Sequence, residues 1–421
     1  MTTKSCILFV LILFSSLGSA QQKMVTDLKV QGMKRTKPSF LKNLVNLKPG
    51  MPLDSLLMNE DMTRLQRLPS ISHAYYQVFA SDTGAYSVYY NIEENFTLIP
   101  YANLFSSSDD DFAFRIGLQE FNLLGRNITL GGFYQYDNFS SYGIGIRAPY
   151  LFSPKIGLSL SYNDFTTQEP VFFENATADY RYNNKGVELL GIYEFNFKNR
   201  IELGGSLFIE NYDYLFGATS PNVPQQLEVD KHLFKLIYNF DNINYFYYFL
   251  EGFRSTLNLQ YVGSSDENLP EFVIGFNDFA YFRRMGERGN WANRLRLGLA
   301  SNIASPFAPF TVDNNLNIRG VGNTIDRGTG AIVLNTEYRH TLYEKDWFVL
   351  QGNVFIDGGS WRNPGGNFSD FGDDQNIRIY PGVGLRLMHK RIFSAIFRID
   401  YGYGITKDAS RGIVFGIGQY F

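Results

Sequence analysis

The stretch Asn317–Gly322, with the sequence NIRGVG, decides how the rest of the chain is interpreted. It lies in a connection of roughly 25 residues, 305–329, between two segments that alternate like strands, 291–304 and 330–341. Loops of this length in a compact sheet protein are usually functional or disordered. The glycine after Arg319 lets the backbone turn tightly or approach another segment closely. We therefore predict that Arg319 enters the interior of the molecule and finds acidic partners there.

The first 20 residues have the pattern of a secretory signal peptide. Lys4 supplies the positive start, residues 6–17 are almost wholly apolar, and residues 18–20 are small. Cys6 is the only cysteine and precedes the expected cleavage point, so we expect no disulfide and no thiolate metal site in the mature chain. Removing Lys4 takes the formal net charge from −3 to about −4, which gives no basis for binding nucleic acid.

The composition favours a transmembrane β-barrel. Aromatic residues make up 16% of the chain, with 38 Phe and 28 Tyr against 3 Trp, and 39 glycines punctuate the alternating segments. No apolar run of about 18 or more residues follows residue 20, so the sequence predicts no membrane helix. A soluble β-sandwich would also alternate, but its buried face would be shared with a second sheet. It would not explain so many Phe and Tyr behind a signal peptide.

The sequence pattern of residues 21–95 predicts one small α+β domain with the order β-α-α-β-β. Its hydrophobic residues recur first at strand spacing, then at helical spacing, and finally at strand spacing again. Pro38 suits the first turn of a helix. The predicted elements are a strand at 25–30, a helix from Pro38 to 48–50, a helix over 57–65 stopped by Pro69, and strands at 74–79 and 86–92.

The sequence pattern of residues 96–421 predicts sixteen strands that close into an antiparallel transmembrane barrel. The predicted fold class is therefore mainly β. The predicted strands are 100–106, 112–122, 127–137, 142–150, 156–166, 185–196, 201–212, 230–240, 245–262, 271–283, 291–304, 330–341, 347–358, 376–388, 392–403 and 411–421. An even number of strands places both ends of the barrel on one side.

The connections alternate between short and long, as expected for periplasmic turns and outer loops. The short ones include 123–125, 152–154, 198–199, 241–243 and 389–391, and the long ones include segments near 167–184, 213–229, 305–329 and 359–375. We therefore place the small domain on the side of the short turns.

Alternation within three neighbouring strands predicts a charged patch on the barrel wall. Glu337, Arg339, Asp357 and Arg386 fall on the inner face, opposite residues that face lipid. The loop of Arg319 leads directly into the first of these strands. A guanidinium presents donors in a rigid fork that matches a carboxylate, so Arg319 is predicted to pair with Asp357 or Glu337. The alternative is that these are ordinary polar residues of the lumen.

Four short motifs occur in order: NIRG at 317–320, EYR at 337–339, FIDGG at 355–359 and GVGLR at 382–386. The predicted small domain that precedes them resembles a single POTRA domain. The four motifs, in this order after such a domain, resemble those of the BamA/TamA superfamily of outer-membrane assembly factors. Val321 departs from this pattern, where an aromatic residue is usual. The residues that carry the resemblance are Ile318, Arg319, Gly320, Glu337, Arg339, Phe355, Asp357, Gly358, Gly382, Gly384 and Arg386. The resemblance implies that Arg319 contacts the inner wall of the twelfth to fourteenth strands.

The end of the chain resembles the C-terminal signal of outer-membrane barrels. Phe415 and Phe421 supply aromatic residues, and Gly416 lies at the usual glycine place. The first strand, with Pro100 and Asn103, is expected to be a weak hydrogen-bonding partner for the last. In the superfamily this seam opens sideways, and a client strand adds to the exposed edge.

The resemblance implies insertion or translocation of proteins at the outer membrane, by strand templating at the seam and local membrane thinning. The implied partners are outer-membrane lipid, client outer-membrane proteins, and periplasmic proteins or lipoproteins that bind the POTRA-like domain in the periplasm. The alternative is a passive pore, or a docking or anchor barrel, that keeps the fold without this activity. The four scattered histidines indicate no catalytic site, so we expect no enzyme activity, no cofactor and no metal.

Overall fold

The computed structural model describes most of the chain downstream of the predicted leader. The described residues are 23–80, 85–106, 112–173, 176–219, 223–246, 248–266, 269–302, 308–312, 317–322, 327–390, 392, 395–407, 409–418 and 420–421. The predicted signal peptide, residues 1–20, lies outside these ranges.

The small domain has the predicted order of elements. They are β1 (Val25–Gln31), α1 (Pro38–Leu44), α2 (Ser55–Gln66), β2 (Ile71–Ala80) and β3 (Tyr86–Glu94). Pro38 occupies the first turn of α1, and the side chain of Asp54 caps α2 by accepting the N–H groups of Leu56 and Leu57. The sheet has the order β1-β3-β2, with β3 parallel to β1 and antiparallel to β2.

Helix α1 ends at Leu44, four residues before the predicted end at 48–50. Asp61 of α2 explains the early end, because its carboxylate accepts the backbone N–H groups of Asn46 (2.6 Å) and Leu47 (3.0 Å). This extended segment still buries the Leu47 side chain completely in the domain core. The apolar spacing that suggested more helix therefore places Leu47 in the core from an extended segment.

The rest of the chain forms a closed barrel of sixteen antiparallel strands, as predicted. The barrel strands are β4 (Leu98–Ser106), β5 (Phe112–Leu123), β6 (Ile128–Tyr136), β7 (Ser140–Ser153), β8 (Ile156–Phe173), β9 (Ala176–Asn196), β10 (Asn199–Gly217), β11 (Gln226–Phe246), β12 (Phe249–Ser264), β13 (Phe272–Met285), β14 (Gly289–Ala300), β17 (Gly330–Glu344), β18 (Phe348–Arg362), β19 (Ile377–His389), β20 (Ile396–Tyr403) and β21 (Arg411–Ile417). Strands β15 (Phe310–Thr311) and β16 (Arg327–Gly328) pair with each other inside the loop between β14 and β17.

The barrel wall is apolar outside and polar inside. On β18, Val354 and Ile356 are 55% and 52% exposed, whereas Phe355 and Asp357, which alternate with them, are buried in the lumen. A surface of exposed Leu, Ile, Val, Phe and Tyr around a closed sheet is the arrangement of a barrel in lipid. Neither helix among the described residues has the length and apolar character needed to cross a bilayer.

Two expectations about the strand ends are wrong. Residues 241–243 form no turn: they pair with β12 inside β11, which continues to Phe246. The expected long segments 167–184 and 213–229 are mostly strand. β8 continues to Phe173, β9 already begins at Ala176, and β10 continues to Gly217. An apolar cluster of the lumen, with Tyr180 and Tyr212 buried, packs along these extensions and supports them.

The small domain is docked on the barrel end that carries the short turns, which we call the domain end. Arg64 of α2 donates to Glu194 Oε1 of β9 (2.7 Å) and to the carbonyl of Pro154 (3.1 Å). Arg67 donates to the carbonyls of Phe197, Asp241 and Ile243 at 2.8–3.0 Å. These guanidinium groups tie the end of α2 to three different barrel hairpins.

Glu94 holds the turn that leads from β1 toward α1. Its carboxylate accepts the backbone N–H groups of Lys34 (2.8 Å), Arg35 (3.0 Å) and Thr36 (2.6 Å). Burial by itself would raise the pKa of Glu94, but these hydrogen bonds outweigh it and hold the pKa below its ordinary value. Because the folded-state pKa is lowered, the carboxylate stabilises the domain above its ordinary pKa of about 4.3.

We predict that Glu94→Gln speeds amide hydrogen exchange in residues 33–37 at neutral pH, because the charged acceptor of three N–H groups is lost. The difference from the wild-type chain should vanish as the pH falls through the lowered pKa of Glu94. Hydrogen–deuterium exchange with mass spectrometry measures this. Glu93→Gln, at the exposed neighbouring position, is the control. Equal exchange in the Glu94 variant and wild type at neutral pH would contradict the prediction.

Candidate functional site: an arginine lock inside the barrel

The described part of the loop between β14 and β17 around Arg319, residues 317–322, lies in the lumen and is anchored there by apolar side chains. Ile318 is fully buried, and Val321 is almost so. They pack in one cluster with Val333 of β17, Trp361 of β18 and Tyr380 of β19. Val321, at the place where an aromatic residue is usual in the superfamily, therefore still contributes to the anchor.

Arg319 is completely buried and pairs with both predicted acids. Its Nε and Nη2 donate to the two oxygens of Asp357 at 2.7 and 2.9 Å, and its Nη1 donates to Glu337 Oε2 at 2.7 Å. The backbone N–H of Arg319 also donates to Asp357, at 3.0 Å. This bidentate fork fixes both the side chain and the backbone of the loop against the wall. The prediction that Arg319 pairs with Asp357 or Glu337 is confirmed for both.

Glu337 is shared among three cations. Arg386 Nη2 donates to its two oxygens at 2.6 and 2.8 Å, and Arg339 Nε donates to Oε1 at 2.5 Å. Arg339 and Arg386, like Arg319, are among the largest side chains that the described residues bury fully. Taking such charges out of water is costly, and their mutual pairing offsets that cost only with close geometry.

Two aromatic rings cover the Arg319 guanidinium. Its Cζ lies 3.6 Å from the ring centroid of Phe355 and 4.4 Å from that of Tyr420. A cation over a desolvated aromatic face is stabilised by the ring quadrupole. Phe355, which the motif resemblance singled out, thus faces the lumen and contacts the arginine directly.

We call Arg319, its acidic partners Asp357 and Glu337, and the rings that cover it the lock. Glycines allow the close backbone approaches that the lock needs. Gly320 has a φ of +92°, and a Cβ there would lie 2.6 Å from the carbonyl oxygen of Gly402 on β20. A Cβ at Gly402 would overlap the carbonyl oxygen of Arg319. A Cβ at Gly382 would overlap the Phe355 ring, and one at Gly384 would overlap a carboxylate oxygen of Asp400.

Gly358 does not have such a role. It lies on the outer side of β18, and the nearest contact of a Cβ there would be the carbonyl oxygen of Arg378, at 3.3 Å. Gly359, one residue further on, faces the loop instead. A Cβ there would lie 2.6 Å from Val312 Cγ1 and 3.2 Å from Ile318 Cδ1.

Asp400 and Tyr420 also belong to the lock, although the sequence did not predict this. Asp400 of β20 is fully buried, with Oδ1 3.6 Å from Arg319 Nη1 and Oδ2 accepting Arg398 Nη1 at 3.0 Å. Alternation along β20 puts Asp400 on the face opposite Ile399 and Tyr401, but the predicted charged patch combined only three other strands. The predicted strand 411–421 likewise puts Tyr420 on the face opposite Phe415, but it does not indicate the turn into the lumen beyond Ile417.

The last strand ends earlier than predicted. β21 stops at Ile417 rather than 421, and the chain then turns into the lumen. There Phe421 packs beside Phe282 and lies with its ring 5.6 Å from the Arg339 guanidinium. Phe415 faces outward, whereas Gly416 makes room for Arg398, whose Nη2 a Cβ would meet at 2.6 Å.

The lock lies beside the seam between the first and last strands. β21 pairs with β4 only where Val414–Gly416 meets Asn103–Phe105, whereas β4 pairs with β5 along its whole length. The loop reaches this last strand directly, because a Cβ at Gly412 would lie 3.2 Å from the carbonyl oxygen of Gly320. Within the described ranges, no group of side chains has the composition of a metal site.

Fold and lock together define a transmembrane β-barrel with a loop pinned inside it, preceded by a small α+β domain. No protein-family model matches the sequence, and no curated protein matches it. Among solved structures, BamA from Haemophilus ducreyi lacking POTRA domains 1–3 matches with a TM-score of 0.54 and 15% identity, covering 94% of this chain and 84% of that one.

CdiB from Acinetobacter baumannii matches with a TM-score of 0.59 and 15% identity, covering 94% of this chain and 74% of that one. CdiB from Escherichia coli matches with a TM-score of 0.62 and 13% identity, covering 94% and 77%. At these identities the likeness establishes the fold. The chain has the sixteen-stranded barrel fold of BamA and CdiB, as the motif resemblance predicted.

We predict that Arg319→Ala destabilises the barrel by about 3–5 kcal/mol, because it leaves Asp357 and Glu337 buried with less compensation. The measurement is denaturant unfolding in detergent, with the folded fraction monitored by the gel shift that heating causes. Arg181→Ala is the control: its side chain is 52% exposed where it pairs with Asp213, and such pairs contribute about 0.2–1 kcal/mol. An equal loss of unfolding free energy in the Arg319 and Arg181 variants would rule out the lock.

A second variant disturbs the loop without changing any charge. Gly402→Ala should displace the Arg319 carbonyl and lower the unfolding midpoint in the same direction as Arg319→Ala. Gly191→Ala provides the control, since its added Cβ would find an ordinary contact, 3.6 Å from the Leu203 carbonyl oxygen. A Gly402 variant as stable as the Gly191 variant would show that the loop does not pack closely on β20.

Proposed function

We propose that the chain is an outer-membrane barrel that helps to insert or translocate other proteins at that membrane. The observation that carries the proposal is the short seam: Val414–Gly416 is the only part of β21 that pairs with β4 among the described residues. An unpaired strand edge presents free N–H and C=O groups and is a template for another strand. A client strand could therefore add to β4 or β21 once the seam opens.

On the β21 side of the seam, the last two strands are also short for a bilayer. β21 has seven residues and β20 has eight, whereas a strand needs about 9–11 residues to cross the hydrocarbon core. A short apolar belt draws the lipid surfaces together locally. We infer that the membrane is thinned beside the seam, which lowers the barrier for a client strand to enter.

The lock braces the wall next to the weakly paired edge. Asp357 and Glu337 hold Arg319, and the adjacent Gly320 packs on Gly402 of β20. When β4 separates from β21, strands β17–β20 then stay fixed on one side of the opening. This work is done by backbone hydrogen bonding and membrane deformation, so the proposed activity uses no catalytic residue and no cofactor.

The small domain would lie in the periplasm, on the side of the short turns, where it could receive clients or accessory proteins. BamA and CdiB, whose fold the chain shares, support the assignment to the outer membrane. The competing function is a passive pore or a docking barrel. An open pore is disfavoured because the Arg319 loop and Tyr420 occupy the lumen.

Depletion of the protein in its host tests the proposal. We expect the abundance of particular outer-membrane proteins to fall, measured by quantitative proteomics of isolated outer membranes. An outer-membrane proteome unchanged by depletion would favour the pore or docking function.

A disulfide across the seam tests the mechanism. Leu104→Cys with Phe415→Cys joins two paired positions of β4 and β21 that face outward, and Cys6 is the only natural cysteine. We predict that the oxidised variant in liposomes folds client barrels no faster than empty liposomes, and that a reductant restores the wild-type rate. The control is the same pair of changes at Leu385 and Ile399, within β19 and β20. An oxidised seam with wild-type activity would contradict lateral opening.

A further inference from the structure

A cavity of about 250 Å³ lies between the small domain and the inner wall at the domain end of the barrel. We call it the domain-end chamber. The end of α2 and Pro69 contribute one side, and β6, β7, β9, β10 and β11 contribute the other. Its charged lining residues are Arg64, Arg67, Arg147, Glu194, Lys198, Arg200 and Asp241. It is separate from the lock, which lies on β17–β20.

The chamber holds more positive than negative charge. Its acids are already paired: Glu194 with Arg64 at 2.7 Å and Asp241 with Arg67 at 3.6 Å. Glu202, just beyond the lining, pairs with both Arg147 (2.6 Å) and Arg200 (3.2 Å). Five basic side chains thus face three acids, which leaves an excess of two positive charges.

Lys198 is the clearest source of this excess. It lies on the turn between β9 and β10 and forms no ion pair with the residues that the structure describes; its ammonium lies 5.5 Å from the Phe197 ring centroid. A second uncompensated charge remains because Arg147 and Arg200 share the single carboxylate of Glu202. Partly buried charges without a counter-charge are unfavourable, so the chamber favours an anion.

The chamber also has unused hydrogen-bonding groups. The Arg64 side chain is nine-tenths buried, and its Nε has no hydrogen-bond partner within the described part of the chain; the same holds for Arg67 Nε. Asn127 and Asn239 each leave a buried side-chain oxygen without a donor there. Buried polar groups of this kind normally have a partner.

This combination points to one chemistry. Guanidinium and ammonium groups donate to the oxygens of a phosphate, and an amide oxygen can accept from its protonated oxygen. A carboxylate satisfies the donors but has no proton for Asn127 or Asn239. We propose that the domain-end chamber binds a phosphate group that keeps an ionisable proton, held between the small domain and the barrel, either as a free phosphate compound or as the phosphomonoester headgroup of a lipid.

Calorimetric titration of the full chain in detergent, at constant ionic strength, tests the site. Inorganic phosphate and glycerol 3-phosphate, the headgroup of a phosphomonoester lipid, are the two probes, and binding of either supports the proposal. Saturation by inorganic phosphate identifies the free anion as the source, whereas saturation by glycerol 3-phosphate alone identifies a lipid headgroup. We expect one site per chain, and Lys198→Gln with Arg200→Gln should weaken the affinity by at least about tenfold.

Lys185→Gln is the matched control, because Lys185 is an exposed lysine of the same strand as the chamber residue Glu194. It should bind like the wild-type chain. The gel shift on heating confirms that each variant is folded, and Lys198→Gln alone serves if the double variant is not. The proposal is overturned if neither probe gives saturable heat, if binding survives in the folded Lys198 and Arg200 variants, or if an acidic peptide binds without competition by phosphate.

Discussion

The ion pair between Arg319 and Asp357 is the constraint on which the interior of the barrel depends. The guanidinium, its backbone N–H and the carboxylate form three hydrogen bonds at 2.7–3.0 Å in a site with no exposure to solvent. A long loop would otherwise gain conformational entropy by leaving the lumen. The pair holds it there because either charge, left alone in the same place, would be strongly unfavourable.

Several elements converge on this pair from different parts of the chain. Glu337 and Phe355 come from adjacent strands, Asp400 comes from β20, and Tyr420 comes from the tail beyond β21. The lock therefore connects the rigid wall to the strand that forms the seam. The structure combines a well-tied wall with a weakly paired edge, and the proposed gating uses that contrast.

The parts of this site that the sequence predicts follow from a single periodicity. Because side chains of a strand alternate between two faces, the lipid-facing run of each of three strands assigns Glu337, Asp357 and Arg386 to the lumen. Contacts that depend on the curvature of the barrel do not follow from alternation. Alternation also puts Asp400 on the inner face, but its approach to Arg319 requires the cylinder to bring β20 around toward the loop.

Features formed by elements distant in sequence were not predictable in this way. The inward turn of Tyr420 follows no strand pattern, and the contacts of Arg64 and Arg67 with the barrel depend on how two domains meet. Strands β8–β11 extend further from the domain end than predicted, because Tyr180 and Tyr212 packing inside the lumen supports them there, and apolar alternation does not.

A double-mutant cycle measures the central claim most directly. The free energy of unfolding in detergent is determined for wild type, Arg319→Ala, Asp357→Asn and the double variant, with folding monitored by the gel shift on heating. If the two groups are one buried pair, the double variant should be less destabilised than the sum of the single variants, with a coupling of about 0.5–3 kcal/mol. Additive effects would mean that Arg319 and Asp357 do not hold the loop together.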